Sequence, residues 1–176
     1  MRRTRRLATL VVLGVLGTAG YGCTAATDAE TAAAIAELRA EVAELRAREA
    51  IRALYADYGR TLDERDFAAF GRLFTADAEF VGGTGPAIGP EAIAASLESS
   101  LSRAAGPDLH VFTNEKIEVD GETATATSRG AWVVLAEDGR PRTAIYATYH
   151  DELAVEDGAW KFRRREIVGD IPGPAR

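Results

Sequence analysis

The segment "LHVFTNEKIEVDGETATATSRGAWVVLAEDGRPRTAIYATYHDELAVEDGAWKFRRREIV", residues 109–168, decides the fold of this chain of 176 residues. Its alternating apolar and polar residues are interrupted by Asp-Gly pairs at 120–121, 138–139 and 157–158. Asp-Gly favours tight hairpin turns, because both positions tolerate left-handed backbone angles. The segment therefore predicts four long strands joined as an antiparallel meander.

The residues that precede this segment predict helices. Apolar residues recur at helical spacing in "AIRALYADYGRTLDERD" (50–66), and two shorter helices are indicated at 67–74 and 90–104. Asp66 is well placed as the N-cap of the second helix. Between these helices, "AEFVGGTGPAIGP" (78–90) predicts a short strand and then a Gly/Pro loop. Helices followed by a meander predict an α+β fold, with the helices packed on one face of a curved, mainly antiparallel sheet.

Charge and composition exclude several classes of function. The net charge is −6, and arginines are concentrated in the first six residues, so the remainder is more acidic still. Phosphate binding needs a basic face, so we expect no nucleic-acid partner. One cysteine forms no intramolecular disulfide, and two histidines give no His-rich metal site, so we expect no metal.

The N-terminus resembles a bacterial export signal. A basic "MRRTRR" precedes an apolar run at 7–21, which is shorter than the ~20 residues of a membrane-spanning helix. Cys23 follows Gly22, as in lipoprotein signals whose cysteine becomes lipidated. Lipidation at Cys23, ordinary cleavage near residues 24–26 and an uncleaved anchor remain open. Each predicts an exported protein of the periplasm or cell envelope, which meets the membrane only through this N-terminal anchor or lipid.

The predicted organisation is a signal at 1–22, a tether and helical extension at 23–48, a domain at 49–170 and a tail at 171–176. The extension carries apolar residues with the a/d spacing of two heptads, namely Ile35, Leu38, Val42 and Leu45. Two heptads are short for an independent coiled coil. The stripe either packs on its own domain or forms a parallel homodimer.

Three stretches resemble the SnoaL-like branch of the NTF2-like superfamily. They are "AIRALYADYGRTLDERDFAAFGRLFTADAEF" (50–80), "LHVFTNEKIEVDGETATA" (109–126) and "YHDELAVEDGAWKFRRREI" (149–167), within a match over 49–168. The resemblance implies a cone in which three helices pack on a strongly curved sheet and enclose a pocket. It is specific for fold and not for function, because the superfamily includes dehydratases, dehydrochlorinases, isomerases, cyclases, epoxide hydrolases and non-catalytic binding modules.

Two members, scytalone dehydratase and the dehydrochlorinase that acts on hexachlorocyclohexane, use a His–Asp pair. By motif, Asp63 and His110 match that pair, and Arg165 after "WKF" matches an arginine of the dehydrochlorinase. Tyr58 stands where that enzyme has a lysine. A tyrosine there is similar to the oxyanion donor of ketosteroid isomerase, but the general-base position of that enzyme falls at Gly82, which disfavours steroid isomerisation.

The strand pattern gives an independent reason to consider His110. It shares parity with Phe112, so we expect it to face the interior. A neutral imidazole there can act as a general base, and an aspartate on Nδ1 would fix its tautomer. The alternatives remain a packed histidine without chemistry and, for Asp63, a turn carboxylate.

Other candidates follow from the same parity. Asp151 lies on the apolar parity of its strand and needs a partner, which Arg165 can supply, whereas His150 has the surface parity. Parity does not place Arg165, because it shares the parity of Ile167 and not that of Phe162. A bulge is needed for all the apolar residues of this strand to face the core. The remaining candidate pocket residues are Tyr55, Phe112, Asn114, Trp132 and Tyr149, and the alternative for Asn114 is a turn residue.

Two functions are therefore carried forward. The first is a cofactor-free lyase, of the dehydratase or dehydrohalogenase type, or an isomerase. In it His110 abstracts a proton from a small apolar substrate, Asp63 orients His110, and Tyr58 and Arg165 stabilise negative charge. The second is a non-catalytic module that binds a small ligand while tethered in the cell envelope through Cys23.

Overall fold

A computed structural model describes residues 22–83, 85–102 and 106–171. The expected signal at 1–21 and the tail from 172 onward lie outside the described residues. Cys23 lies in a described helical backbone, but its side chain is not described, so lipidation at this position stays a prediction. Within the described ranges, no helix is both long and apolar enough to cross a membrane.

Three helices and six strands make up the described fold. In chain order they are α1 (Gly22–Asp63), α2 (Phe67–Gly71), β1 (Phe74–Gly82), β2 (Gly85–Ile88), α3 (Pro90–Leu101), β3 (Asp108–Asp120), β4 (Thr123–Leu135), β5 (Pro141–Glu156) and β6 (Ala159–Gly169). The four predicted long strands are β3 to β6, and their three turns fall at the Asp-Gly pairs. The predicted N-cap of α2 is also present, since the Asp66 side chain accepts from the Ala69 N–H at 2.8 Å.

The Gly/Pro segment differs from the prediction. Residues 85–88 form β2, which pairs antiparallel with β1, instead of a loop. Gly85 has a φ of +92°, a conformation that glycine adopts without strain, so the chain can reverse there and pair with itself. The second helix is also shorter than predicted, because β1 already begins at Phe74.

The sheet is open and mixed, in the order β2-β1-β6-β5-β4-β3. Strands β3 to β6 form the predicted antiparallel meander, and β1 runs parallel to β6. The α+β prediction of helices on a mainly antiparallel sheet is confirmed.

An aromatic cluster forms the core between the C-terminal part of α1 and the sheet. Tyr58 packs against Phe70 and Phe162, with ring centroids 5.0 and 5.7 Å apart. Phe74 and Phe162 are almost completely buried. Edge and tilted contacts of this kind contribute ~0.5–1.5 kcal/mol each beyond the area that they bury. This part of α1 is therefore fixed to the sheet, and with it the position of Asp63.

The apolar stripe on α1 is exposed. Its four side chains, Ile35, Leu38, Val42 and Leu45, are 44–62% exposed. The chain divides into two units between Ala40 and Glu41, within this helix. Val42 and Leu45 belong to the same unit as the domain and do not pack on it. This differs from the alternative in which the stripe packs on its own domain. A parallel homodimer through the stripe stays a prediction.

Strand β6 contains a bulge, the feature that its apolar residues need if all of them are to face the core. Glu152 pairs with Arg164 and Leu153 pairs with Phe162, so Arg163 is the extra residue. The extra residue reverses the parity of the strand. Phe162 and Arg165 therefore both face the interior, each at 0% exposure.

Gly130 of β4 allows the Tyr149 ring to lie across the strand. A Cβ at this position would lie 3.0 Å from Tyr149 Cζ and 3.2 Å from Phe112 Cε1. We expect Gly130→Ala to lower the free energy of unfolding by about 1–3 kcal/mol, because either ring must move. Urea denaturation measures this change.

The matched control is Gly169→Ala in β6, where an added Cβ meets no atom within 4 Å. It should leave stability unchanged or slightly higher, since alanine restricts the unfolded chain. Equal urea midpoints for the two variants would contradict the proposed crowding at Gly130.

Candidate functional site

The two residues of the predicted dyad meet at the junction of α1 and β3. His110 Nδ1 lies 2.8 Å from Asp63 Oδ1, and the His110 backbone N–H donates to the same oxygen at 2.9 Å. An ionised carboxylate accepts, so Nδ1 carries the proton and Nε2 keeps a free lone pair. No other described residue hydrogen bonds to the His110 ring. The arrangement leaves Nε2 available as a base.

His110 lines a cavity of about 190 Å³ between the helices and the sheet. Its walls are mostly apolar, and the residues with polar side chains among them are His110, Tyr58, Tyr149, Trp132 and Ser100. Ile145, another wall residue, is 47% exposed, so the cavity opens toward solvent on its side. Among the described residues, no arginine, lysine or carboxylate lines this space.

Three larger depressions, of about 580, 370 and 700 Å³, lie elsewhere on the described surface. None of them contains His110 or Asp63. The largest of the three contains Asn114, which was predicted to line the pocket. Asn114 has a φ of +58° at the β3 bulge and is exposed, so it does not line the His110 cavity and fits the alternative of a turn residue.

The predicted partners Arg165 and Asp151 form a buried ion pair. Arg165 Nε and Nη2 donate to the two carboxylate oxygens at 2.7 and 2.8 Å, and both side chains are 0% exposed. The Tyr55 hydroxyl donates to Asp151 as well. Burial lowers the pKa of Arg165, but the charge of Asp151 more than offsets this and holds the pKa above its ordinary value. Arg165 therefore remains charged yet does not line the cavity.

Aromatic rings surround the Arg165 guanidinium. Its central carbon lies 4.1 Å from the Tyr58 ring centroid, 3.9 Å from that of Phe162 and 5.0 Å from that of Tyr149. The negative ring faces attract the cation. Arg165 is thus separated from the cavity by the tyrosines that line it.

The buried tyrosines keep their protons. Burial raises the pKa of Tyr58 and Tyr149 above their ordinary value, and for Tyr58 the charge of Arg165 partly opposes this rise. Burial and then the charge of Asp151 raise the pKa of Tyr55. Near neutral pH, Tyr58 and Tyr149, which line the cavity, therefore keep their hydroxyls neutral.

The remaining predicted residues divide into wall and support. Trp132 lines the cavity beside His110. Phe112 does not line the cavity but packs against two of its wall residues. Its ring centroid lies 5.3 Å from that of Tyr58 and 5.1 Å from that of Tyr149. Tyr55 supports Asp151. His150 is exposed, as its parity predicted.

Two residues near the dyad, Arg65 and Asp108, were not predicted from the sequence. Asp108 Oδ2 accepts from Trp132 Nε1 at 2.7 Å, and Asp108 Oδ1 accepts from Arg65 Nη2 at 2.8 Å. Asp108 shares strand parity with His110, and that signal indicates its inward direction. The role of Arg65 depends on a left-handed backbone angle, which the residue type does not signal. In the described ranges, no cluster of three or more His, Cys, Asp or Glu side chains is arranged to hold a metal.

The sequence profile of a SnoaL-like domain matches residues 43–166. Among curated proteins, no sequence matches this chain significantly.

Solved structures share the fold. An NTF2-like protein with a cystatin-like fold from Novosphingobium aromaticivorans is 26% identical, with a TM-score of 0.69 over 78% of this chain and 90% of that protein. LinA, a hexachlorocyclohexane dehydrochlorinase, is 27% identical, with a TM-score of 0.66 over 74% and 90% of the two chains. A protein from N. aromaticivorans assigned as a scytalone dehydratase is 25% identical, with a TM-score of 0.64 over 73% and 87%. The predicted resemblance is confirmed, and the relatives include lyases.

The buried ion pair predicts a large effect on stability. Asp151→Asn leaves the Arg165 cation without its counterion, and we expect a loss of about 3–5 kcal/mol in the free energy of unfolding. The double variant Asp151→Leu/Arg165→Met removes both charges and should recover most of that loss. Chemical denaturation of the two variants measures the difference.

The control is Arg163→Met. Arg163 lies on β6, like Arg165, and the substitution removes its exposed ion pair with Glu152 on β5. Its unfolding midpoint should stay near that of the unmodified protein. A double variant no more stable than Asp151→Asn would contradict the assigned role of the charge.

The buried tyrosines predict a stability that falls at alkaline pH. In the unfolded chain their phenols ionise near pH 10, whereas in the folded protein their pKa is higher. Their contribution is therefore complete below about pH 10 and is lost as the pH rises above it. Denaturation at a series of pH values should show this slope weakened in Tyr58→Phe. The full slope should persist in the control Tyr146→Phe, because Tyr146 is 49% exposed. An unchanged slope in Tyr58→Phe would refute the contribution of Tyr58 to the loss of stability.

Proposed function

This chain belongs to the SnoaL-like family, and from that premise we propose that it is a cofactor-independent lyase or isomerase acting on a small, uncharged substrate. The observation that carries the proposal is the 2.8 Å contact between His110 Nδ1 and Asp63 at the wall of the cavity. A histidine and carboxylate within hydrogen-bond distance, beside a cavity that reaches solvent, are the geometry that proton abstraction requires.

His110 is the general base in this proposal. Its Nε2 takes a proton from a carbon of the substrate, and the electron pair of that C–H bond moves toward a carbonyl or expels a leaving group. Asp63 keeps the proton of Nδ1 in place and stabilises the imidazolium that forms. A general base contributes roughly 10²- to 10⁴-fold to the rate.

Tyr58 and Tyr149 are the proposed electrophilic groups. Both line the cavity, and both hold their protons because burial raises their pKa. Each can donate to an oxyanion or to a departing group as negative charge develops. Arg165 acts through Tyr58, because its guanidinium contacts the ring of that residue and does not line the cavity.

The cavity supports a small and uncharged substrate. Its volume of about 190 Å³ corresponds to roughly six water molecules at ~30 Å³ each. No charged side chain among its described wall residues offsets the desolvation of an ionic group. The names of two similar proteins, a dehydrochlorinase and a dehydratase, describe eliminations and agree with the same reaction class.

Hydrogen–deuterium exchange at carbon tests the proposal, because it reports proton abstraction whatever the product. A panel of small neutral ketones, β-hydroxy ketones and β-halo ketones is incubated with the protein in D₂O and followed by proton NMR. We expect catalysed exchange or elimination for at least one compound. The rate should fall roughly 10²-fold or more in His110→Ala and by a smaller factor in Asp63→Asn.

The control is His150→Ala, because the other histidine is exposed on the outer side of the sheet. It should retain the full rate. Retained catalysis in His110→Ala would exclude His110 as the base. Binding of panel compounds without exchange or elimination would favour the ligand-binding module.

A further inference from the structure

The end of α1 has an unusual residue at its terminating turn. The Arg65 N–H donates to the Leu62 carbonyl at 3.1 Å, and the Asp66 N–H donates to the Thr61 carbonyl at 2.9 Å. These two bonds form a Schellman turn, in which the residue in the left-handed conformation is usually glycine. Here that residue is Arg65, with a φ of +60°. The conformation costs a non-glycine residue about 1–2 kcal/mol, so contacts of the side chain must offset it.

The Arg65 side chain joins the helix end to strand β3. Its Nη1 donates to the Leu62 carbonyl at 2.6 Å, and its Nη2 donates to Asp108 Oδ1 at 2.8 Å. The Asp108 side chain is only 2% exposed. A carboxylate so deeply buried needs a countercharge, and Arg65 supplies it.

The contact continues from Asp108 to the ring of His110. Asp108 Oδ2 accepts from Trp132 Nε1 at 2.7 Å. Trp132 is the cross-strand partner of His110, and its ring stacks on the imidazole, with centroids 6.0 Å apart and an interplanar angle of 14°. One end of the helix therefore reaches His110 by two routes, through Asp63 to the ring edge and through Arg65 to the ring face.

We propose that Arg65, Asp108 and Trp132 are positioning residues that hold the His110 imidazole in the plane in which Nδ1 meets Asp63. Asp63 bonds to one ring nitrogen only, and a single bond leaves rotation about Cβ–Cγ to be restrained by packing. The indole covers the ring face, and its own plane is fixed by the N–H bond to Asp108. Ring rotation would break the Asp63 contact and turn Nε2 away from the cavity.

The consequence for catalysis rests on the proposed function, but the orientation of the ring does not. Long-range ¹H–¹⁵N NMR spectra of the full chain report which imidazole nitrogen carries the proton. The chain has two histidines, and His150→Ala assigns the signals. We expect His110 to show the Nδ1–H form alone in the unmodified protein at a pH where the ring is neutral.

Trp132→Phe keeps an aromatic ring but removes the N–H that Asp108 orients. We expect the single Nδ1–H signature of His110 to be replaced by an average of the two tautomers. Trp160→Phe, at the other tryptophan of the chain, is the control and should leave the His110 signals unchanged. An unchanged His110 spectrum in folded Trp132→Phe overturns the proposal.

Arg65→Gly keeps the proposal testable if the tryptophan variant does not fold. Glycine adopts the left-handed angle without strain, so the helix end should remain intact while Asp108 loses its countercharge. We expect the His110 signature to shift toward averaging, as in Trp132→Phe. Asn114→Gly, which relieves a φ of +58° on β3 without touching this chain of contacts, should leave it unchanged. An unaltered His110 spectrum in Arg65→Gly counts against a role for Arg65.

Kinetics separate this proposal from the proposed function. If the unmodified protein catalyses exchange, we expect Arg65→Gly to lower kcat roughly tenfold or more with little change in KM, because a misdirected base impairs the chemical step and not binding. Trp132→Phe should lower kcat by a similar factor, but its KM also changes because Trp132 lines the cavity. A changed NMR signature without catalysis in the unmodified protein supports the positioning role and refutes the enzyme. If the variants keep both the unmodified NMR signature and the unmodified catalysis, the positioning role is refuted and the enzyme is supported.

Discussion

The ion pair between Arg165 and Asp151 is the constraint on which the interior depends. A guanidinium at 0% exposure is stable only with a bidentate counterion and with aromatic faces around it, and the structure supplies both. The bulge at Arg163 is what brings this cation to the same face as Phe162. The core is thus organised around a charge, and the surrounding tyrosines follow from the need to enclose it.

Enclosing that charge also determines the character of the cavity. Asp151 neutralises Arg165, and Tyr58 and Tyr149 stand between the pair and the open space. The described wall of the cavity therefore has no arginine, lysine or carboxylate, and its polar residues include two tyrosines and one histidine. Neutral donors that are held in place at a site need little reorganisation when charge develops on a bound molecule. A binding site of this kind favours uncharged molecules, which is consistent with the reaction class proposed.

Much of this arrangement was predictable from the sequence, for reasons that differ between residues. The Asp-Gly turns and strand alternation predict the meander, and parity alone directs His110 and Asp151 inward. The pairing of Asp63 with His110 came from the family resemblance, because no local pattern connects residues so far apart in the chain. Parity also showed that a bulge was needed in β6 but did not locate it.

The residues that the sequence did not place share a physical cause. Asn114 and Arg65 both adopt left-handed backbone angles that are uncommon outside glycine, and Gly85 turns a predicted loop into a hairpin. Such angles are selected by tertiary contacts, so a pattern of apolar residues does not reveal them. Asn114 lies outside the cavity for this reason. Arg65, which no sequence pattern indicated, connects the helix end to Asp108.

That chain of contacts explains why the helix end and the strand start act together. Asp63 and Arg65 are separated by one residue on the terminating turn of α1, and His110 and Asp108 are separated by one residue on the inner face of β3. A glycine at position 65 would end the helix with less strain but would leave Asp108 buried without a countercharge. The strained arginine is therefore best understood as part of the machinery that orients His110, because backbone strain persists where surrounding contacts depend on the residue that bears it.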